Sequence, residues 1–304
     1  MMNNFIFENK TKVYFGKGGV KEYLGGLLAN FGETVMLAYG GGSIKCNGVY
    51  DEIMGILNAQ GKCVVEFSGI MSNPTYAKVQ EGAKLARENH VDLILAVGGG
   101  SVSDCCKVIS GAFDTLSHAM ETYFGKPDEN NLSDDINEAA MRSVIRNIRI
   151  LLTDPENYDA RSELAQASAM AENGVLKIGK VTDFQAHQIQ HQLGAYTDCN
   201  HGAGLAVIHP VLYRHIYKSG AARFARFAQN VWGIAPKGSD GETAAGIDAL
   251  AAVIKEIGLL TTFTELGIPA DTDFRAIADS TNVTAGCCKK LTHDEICEIL
   301  QECL

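Results

Sequence analysis

The stretch TVMLAYGGGS, residues 34–43, decides the fold, together with its echo DLILAVGGGS at residues 92–101. Each is an apolar run that ends in three glycines and a serine. Such a run, bounded by turn residues, reads as a strand, and TVMLAY as a buried one, as in a parallel sheet. Working outward, residues 63–67 read as a further strand and residues 12–15 as a short one. Residues 20–31, 49–60 and 76–89 carry the apolar spacing of amphipathic helices. Strand alternating with helix predicts a parallel sheet covered on both faces.

Both glycine clusters fall at the carboxyl end of a strand, where open α/β sheets bind their ligands. At Gly40, Gly41 and Gly42, and again at Gly98, Gly99 and Gly100, no Cβ keeps backbone N–H groups from an anion. Ser43 and Ser101 each add a hydroxyl, and a following helix adds its positive end. One such cluster reads equally as a tight strand-to-helix turn. Two at equivalent places favour a ligand with separated phosphates, such as a dinucleotide. Asn73, in the loop before the 76–89 helix, and Asp104, one helical turn before Lys107, complete the candidate cofactor set. Asp104 reads also as an acid favourable to a helix amino terminus. No acid stands at Gly40 to Gly42 to accept an adenosine ribose and repel a phosphate on it, which favours NADP(H) over NAD(H).

After residue 113 the pattern changes. Residues 136–152, 159–170, 204–217, 221–232, 241–259 and 293–303 all read as helices, with Pro155, Pro210, Pro236 and Pro269 at ends or breaks. Ser133-Asp134-Asp135 marks one helix start, and Thr292 with Glu295 forms a capping box at another. The expected fold class is therefore α/β, a parallel-sheet domain over residues 1–112 followed by an all-helical domain over 113–304.

The helical part carries the chemistry. The chain has eight histidines, and His187, His191 and His201 fall within the stretch HQIQHQLGAYTDCNH. On a helix, His187 and His191 leave the same face one turn apart. Asn200-His201-Gly202 reads as a corner between two helices, from which His201 can fold back onto that face. The pair alone is also compatible with an ordinary half-buried helix face. Asp114 and His118, at the same four-residue spacing on the helix expected over 113–124, supply a second pair. Asp with two or three His and no thiolate suits an open catalytic site for Fe²⁺ or Zn²⁺ better than a closed structural zinc site.

Composition narrows the partners. Over 304 residues, 46% hydrophobic and 20% charged, the formal net charge is -10, which opposes binding to nucleic acid or an acidic membrane surface. A small-molecule partner is expected. Nine cysteines, with adjacent pairs at Cys105-Cys106 and Cys287-Cys288 and no repeated CxxC spacing, do not resemble a secreted disulfide framework. Residues 1–11 show no apolar core of signal-peptide length, no uncharged apolar run approaches membrane-spanning length, and a cytoplasmic location is expected. Apolar helical surface makes a homodimer the expected assembly.

Taken together, GGGS at 40–43, GGGSVSDCCK at 98–107, DTLSHAME at 114–121 and HQIQHQLGAYTDCNHG at 187–202 resemble the iron-containing alcohol dehydrogenase family, most closely its NADPH-dependent butanol dehydrogenase branch. The resemblance implies a Rossmann-like domain, a helical domain and a divalent ion held by Asp114, His118, His187 and His201. It implies that His191 lies beside the nicotinamide, where it could relay the alcohol proton, and that hydride passes between NADP(H) and a primary alcohol or aldehyde such as butanol or butanal. Gly41 falls where NAD-preferring members carry an aspartate. The chain departs from the family between Ala112 and Phe113, where members have several dozen further residues, including sheet strands and a Thr-Gly-Ser-Glu segment that contacts the cofactor. The Rossmann-like domain is accordingly expected to be shortened. Two other readings stand beside this one: a metal-binding homologue that has lost dehydrogenase activity with that segment, and a lyase similar to the dehydroquinate synthases.

Overall fold

A computed structural model of the chain describes residues 12, 14, 16–70, 76–98, 105–127, 129–235, 240–283 and 288–304. These fall into two compact units, one within Lys10–Asp104 and one within Cys105–Leu304. Asn73, Gly99, Gly100, Ser101 and Asp104 of the expected cofactor set lie outside the described residues, as does Pro236.

The first unit runs α1 (Gly19–Leu28), β1 (Thr34–Tyr39), α2 (Ser43–Cys46), α3 (Val49–Ala59), β2 (Cys63–Phe67), α4 (Tyr76–Glu88) and β3 (Leu93–Val97). The strands form one parallel sheet in the order β2-β1-β3. Val35 pairs with Val64 on one side and Leu93 on the other. The central position of β1 explains why TVMLAY is apolar without alternation: five of its six residues are buried. Its side chains still divide by the two-residue period. Val35, Leu37 and Tyr39 pack with Leu28, Ile53 and Leu57 of α1 and α3, whereas Met36 and Ala38 pack with Phe67 and, from α4, Leu85. Of the strand expected at residues 12–15 only Lys12 and Tyr14 are described, and neither is in a strand.

The second unit is helical: α5 (Cys105–Tyr123), α6 (Leu132–Thr153), α7 (Tyr158–Glu172), α8 (Gln185–Thr197), α9 (His201–Ile216), α10 (Ala221–Trp232), α11 (Asp240–Glu256), α12 (Phe274–Ser280) and α13 (His293–Glu302). The fold is thus mixed α/β, a small parallel sheet with many helices. α5 passes unbroken through the Ala112/Phe113 junction and sets Phe113, Leu116, Met120 and Tyr123 into the core of this unit. Residues 105–110 and 113–123 therefore belong to one helix, although the sequence pattern changes between them. α6 starts at a capping box between Asn131 and Asp134, just ahead of the expected Ser133, and α13 starts at the expected Thr292–Glu295 box.

Pro210 corrects an expectation, because it lies inside α9 rather than at an end. Proline forfeits one N–H bond in a helix interior, but α9 is buried over nearly its whole length, with Leu205, Ile208, Leu212 and Ile216 all fully enclosed. Tertiary packing of this kind outweighs the local cost. A buried charge cluster ties α6 to its neighbours: Asp134 accepts from Lys180 Nζ at 2.5 Å and pairs with Arg223 Nη1 at 2.7 Å. Among the described residues no helix is long and apolar enough to cross a membrane.

Candidate metal centre

α5 presents Asp114, His118 and Glu121 at positions i, i+4 and i+7, one face of the helix. α8 presents His187 and His191, and α9 begins at His201 behind its cap Asn200, whose side chain accepts from the Ala203 N–H at 3.0 Å. The turn between α8 and α9 is short because Asp198 adopts a left-handed conformation, φ 55°. His201 is thereby folded back toward the face that carries His187, as the corner in the sequence implied.

Three of these groups converge. One ligand atom each from Asp114, His187 and His201 lie within 4.8 Å of one another. Asp114 Oδ1 is 3.3 Å from His187 Nε2, 3.4 Å from His201 Nε2 and 3.7 Å from His118 Nε2. His118 adjoins the group, its Nε2 being 3.1 Å from His187 Nε2 and 2.9 Å from Glu172 Oε1 at the end of α7. His191 is exposed and stacks on His201, with ring centroids 5.3 Å apart.

The electrostatics follow from the packing. Burial opposes the charge of Asp114, but the imidazoles of His187 and His201 that face it hold its carboxyl well below the usual carboxylate range. Burial opposes the charge of His187 too, yet the Glu121 carboxylate, which its Nδ1 meets, and the facing Asp114 carboxylate push its pKa up to about 9. Burial, and then the positive His187 that it faces, pushes His118 down to about 4. Burial, then His201 and His187, likewise lower His191.

Divalent metal fits this donor set. Asp114 Oδ1 is buried without a hydrogen-bond partner among the described residues. Two imidazole Nε2 atoms face each other at 3.1 Å, with two carboxylates beside them, and share too few protons for all of them to be satisfied. A cation among these lone pairs satisfies them together, and oxygen with imidazole nitrogen is the donor mixture that Fe²⁺ and Zn²⁺ accept.

Behind the inner groups stand residues that the sequence reading passed over. Glu121, fully buried, accepts from His187 Nδ1 and from the Ala186 N–H at 2.7 Å. Its signal was its place two helical turns after Asp114. Gln190 accepts from His201 Nδ1, and Gly204 leaves room for it: a Cβ there would come within 3.1 Å of Gln190 Cγ. Gln190 stands one turn after His187, a spacing that could have been read. Glu172 had no local signal, because only tertiary packing brings α7 to α5. Ser117 Oγ lies 2.6 Å from His209 Nε2, and burial pushes the His209 pKa down to about 4.

In the sheet unit, β1 ends at Tyr39 and the glycine turn leads into α2 at Ser43. A Cβ on Gly40 would approach the Ile70 carbonyl oxygen to 3.1 Å, whereas at Gly41 and Gly42 it would meet nothing within 4 Å. Packing therefore explains the first glycine and leaves the other two open to a ligand role. An acid does stand beside this turn, on β2 rather than β1. Glu66 accepts from the hydroxyls of Tyr39 at 2.5 Å and Tyr50 at 2.6 Å, and Lys45 Nζ lies 3.6 Å from it.

Comparison with known proteins agrees with this architecture. Residues 108–304 match the C-terminal part of the Fe-containing alcohol dehydrogenase family, and residues 10–140 match iron-containing alcohol dehydrogenase. NADH-dependent butanol dehydrogenase A of Clostridium acetobutylicum is 29% identical, the match covering 89% of this chain and 91% of that protein. That alignment runs over 354 positions, more than the 304 residues of this chain, so the relative carries residues without a counterpart here. The NADPH-dependent aldehyde reductase YqhD of Escherichia coli is 27% identical over 88% of each chain. The crystal structure of NADH-dependent butanol dehydrogenase A from Thermotoga maritima superposes with a TM-score of 0.92, at 27% identity and 99% coverage of both chains.

Proposed function

Because the chain belongs to the iron-containing alcohol dehydrogenase family, we propose that it transfers a hydride between NADP(H) and a primary alcohol or aldehyde of the size of butanol or butanal. The single observation that carries this reading is the convergence of Asp114, His187 and His201, with His118 beside them. The proposed functional boundary falls at Ala112/Phe113, inside α5, since every candidate ligand lies beyond it. Residues 1–112 take the nucleotide, through Gly40 to Ser43, Asn73, Gly99 to Ser101 and Asp104. Residues 113–304 take the metal.

In this reading Asp114, His118, His187 and His201 hold the divalent ion. The bound ion supplies a Lewis acid that lowers the pKa of an alcohol or polarises an aldehyde carbonyl, while the nicotinamide supplies or accepts the hydride. Glu121 and Gln190 keep protons on His187 Nδ1 and His201 Nδ1, which leaves the inward Nε2 atoms as lone pairs. His191, exposed and with a lowered pKa, exchanges the alcohol proton at its ring nitrogen with solvent. The absence of an acid at Gly40 to Gly42 supports NADP(H) over NAD(H). Relatives named for each cofactor occur, so the preference is a property to measure on this chain. A homodimer in the cytoplasm completes the proposal; the described cysteines, Cys46, Cys63, Cys199, Cys288, Cys297 and Cys303, are free thiols.

Titration of NADPH, and in parallel NADH, into the metal-loaded protein tests this reading by fluorescence and heat. Saturable one-to-one binding, tighter for NADPH, is expected. A folded, metal-loaded protein that binds neither would instead favour the metal-binding homologue without dehydrogenase activity.

A further inference from the structure

We propose that Glu121 is a positioning residue of the metal centre, its buried carboxylate fixing the tautomer and ring plane of His187 so that Nε2 faces the ion as a lone pair. The inference rests on the metal-binding reading of Asp114, His118, His187 and His201. The helix α8 does not cap its own amino terminus. The residue before α8, Phe184, has φ 52° and provides no side-chain hydrogen bond. The first N–H groups of a helix need partners, and here they come from another helix. Glu121 Oε1 on α5 accepts from the N–H of Ala186 at 2.7 Å and of His187 at 3.3 Å, while the Glu121 backbone carbonyl accepts from the Asp183 N–H at 2.9 Å. One residue thus closes the amino terminus of α8.

The second carboxylate oxygen, Oε2, meets His187 Nδ1. Glu121 is fully buried and His187 nearly so, and water has no access to compete for either group. Oε1 is held by two backbone donors, so Oε2 has one orientation, and the imidazole must present Nδ1–H to it. The three histidines differ in this respect. His201 Nδ1 has the neutral amide oxygen of Gln190, and His118 Nδ1 is buried without a partner among the described residues. A carboxylate is the stronger acceptor and raises the basicity of the ring it holds. His187 is therefore the best-fixed and strongest imidazole donor of the set.

Glu121→Gln separates this role from capping. The amide keeps the shape, and its oxygen still accepts from Ala186 and His187. Its N–H₂ then faces Nδ1 and donates to it, which moves the ring proton to Nε2 and turns an N–H toward the ion. Wild-type and E121Q protein, both full-length and metal-free, are titrated with Co²⁺ and followed by visible absorption, and the urea midpoint of each is measured without metal. The expected result is Co²⁺ binding weakened about 10- to 100-fold in E121Q, in a protein that still unfolds cooperatively without metal, at a lower midpoint because the buried pair with His187 is lost. Equal Co²⁺ affinity in the two proteins overturns the inference alone. A wild-type protein that binds no Co²⁺ overturns the metal-centre reading and this inference with it. If E121Q loses its fold, ¹⁵N NMR of histidine-labelled, Zn²⁺-loaded wild type decides the matter. A proton on His187 Nδ1, assigned by its loss in His187→Gln, supports the inference, and a proton on Nε2 overturns it.

Discussion

Asp114→Asn exchanges one buried carboxylate oxygen for an amide and leaves the helix face of α5 otherwise intact. Asp114 is the only anionic member of the three-residue group, and its Oδ1 stands 3.3 to 3.7 Å from three imidazole nitrogens. Loss of a residue that merely supports a ligand weakens metal binding by up to about 100-fold, and loss of the charged ligand itself must cost at least that much. The consequence is readable as stability, because an ion that binds only the folded chain stabilises it by RT ln(1 + [L]/Kd). At an ion concentration of about 1,000 Kd for wild type the gain is about 4.1 kcal/mol. A 100-fold weaker Kd reduces the gain to about 1.4 kcal/mol, so the variant forfeits about 2.7 kcal/mol or more of metal-dependent stability. Urea unfolding of both proteins, with and without Zn²⁺, measures the difference of differences and cancels any effect of the substitution on the metal-free fold. Equal stabilisation of wild type and D114N by Zn²⁺ would refute the assignment of Asp114 as a ligand.

Asp134→Ala leaves Lys180 and Arg223 buried without their shared anion and removes half of the α6 capping box; a destabilisation of about 4 kcal/mol is expected in urea unfolding, and a loss below about 1 kcal/mol would contradict it. Gly204→Val forces a side chain against Gln190 and Cys199, so about 10-fold weaker metal binding is expected as His201 loses its support, whereas unchanged affinity in a folded variant would contradict that support. His209, its pKa pushed down to about 4 by burial, stays neutral in the folded chain where the unfolded chain takes up a proton. Its effect is absent above pH ~6.5 and grows as pH falls from there toward 4, removing about 3 kcal/mol from the metal-free protein across that window. Urea unfolding of His209→Gln should show a shallower loss over the same range, and equal slopes for the two proteins would refute the shift.

Where sequence and structure agree, a local pattern decides the element. TVMLAY reads as a buried strand because both of its faces are apolar, and the Thr292–Glu295 cap is written in its own spacing. The four-residue spacings of Asp114 with His118 and of His187 with His191 placed each pair on one helix face without knowledge of the partner helix. What escaped the sequence depends on tertiary contact. Pro210 looked like a terminator, but burial of α9 carries the helix through it. Glu121 and Gln190 matter only because α5, α8 and α9 meet, and Glu172 reaches His118 from the far end of α7. Gly40 to Gly42 showed no acid, yet Glu66 stands beside the turn from the neighbouring strand, which a reading of one strand end could not reveal.

Butanal-dependent oxidation of NADPH by the purified chain, followed at the nicotinamide absorption band before and after loading with Fe²⁺ or Zn²⁺, tests the central claim most directly. Turnover that requires the metal and vanishes together with bound metal in His201→Ala is the predicted result. Absence of turnover with butanal or any simple alcohol by a folded, metal-loaded protein, or metal and turnover both retained in His201→Ala, would contradict it.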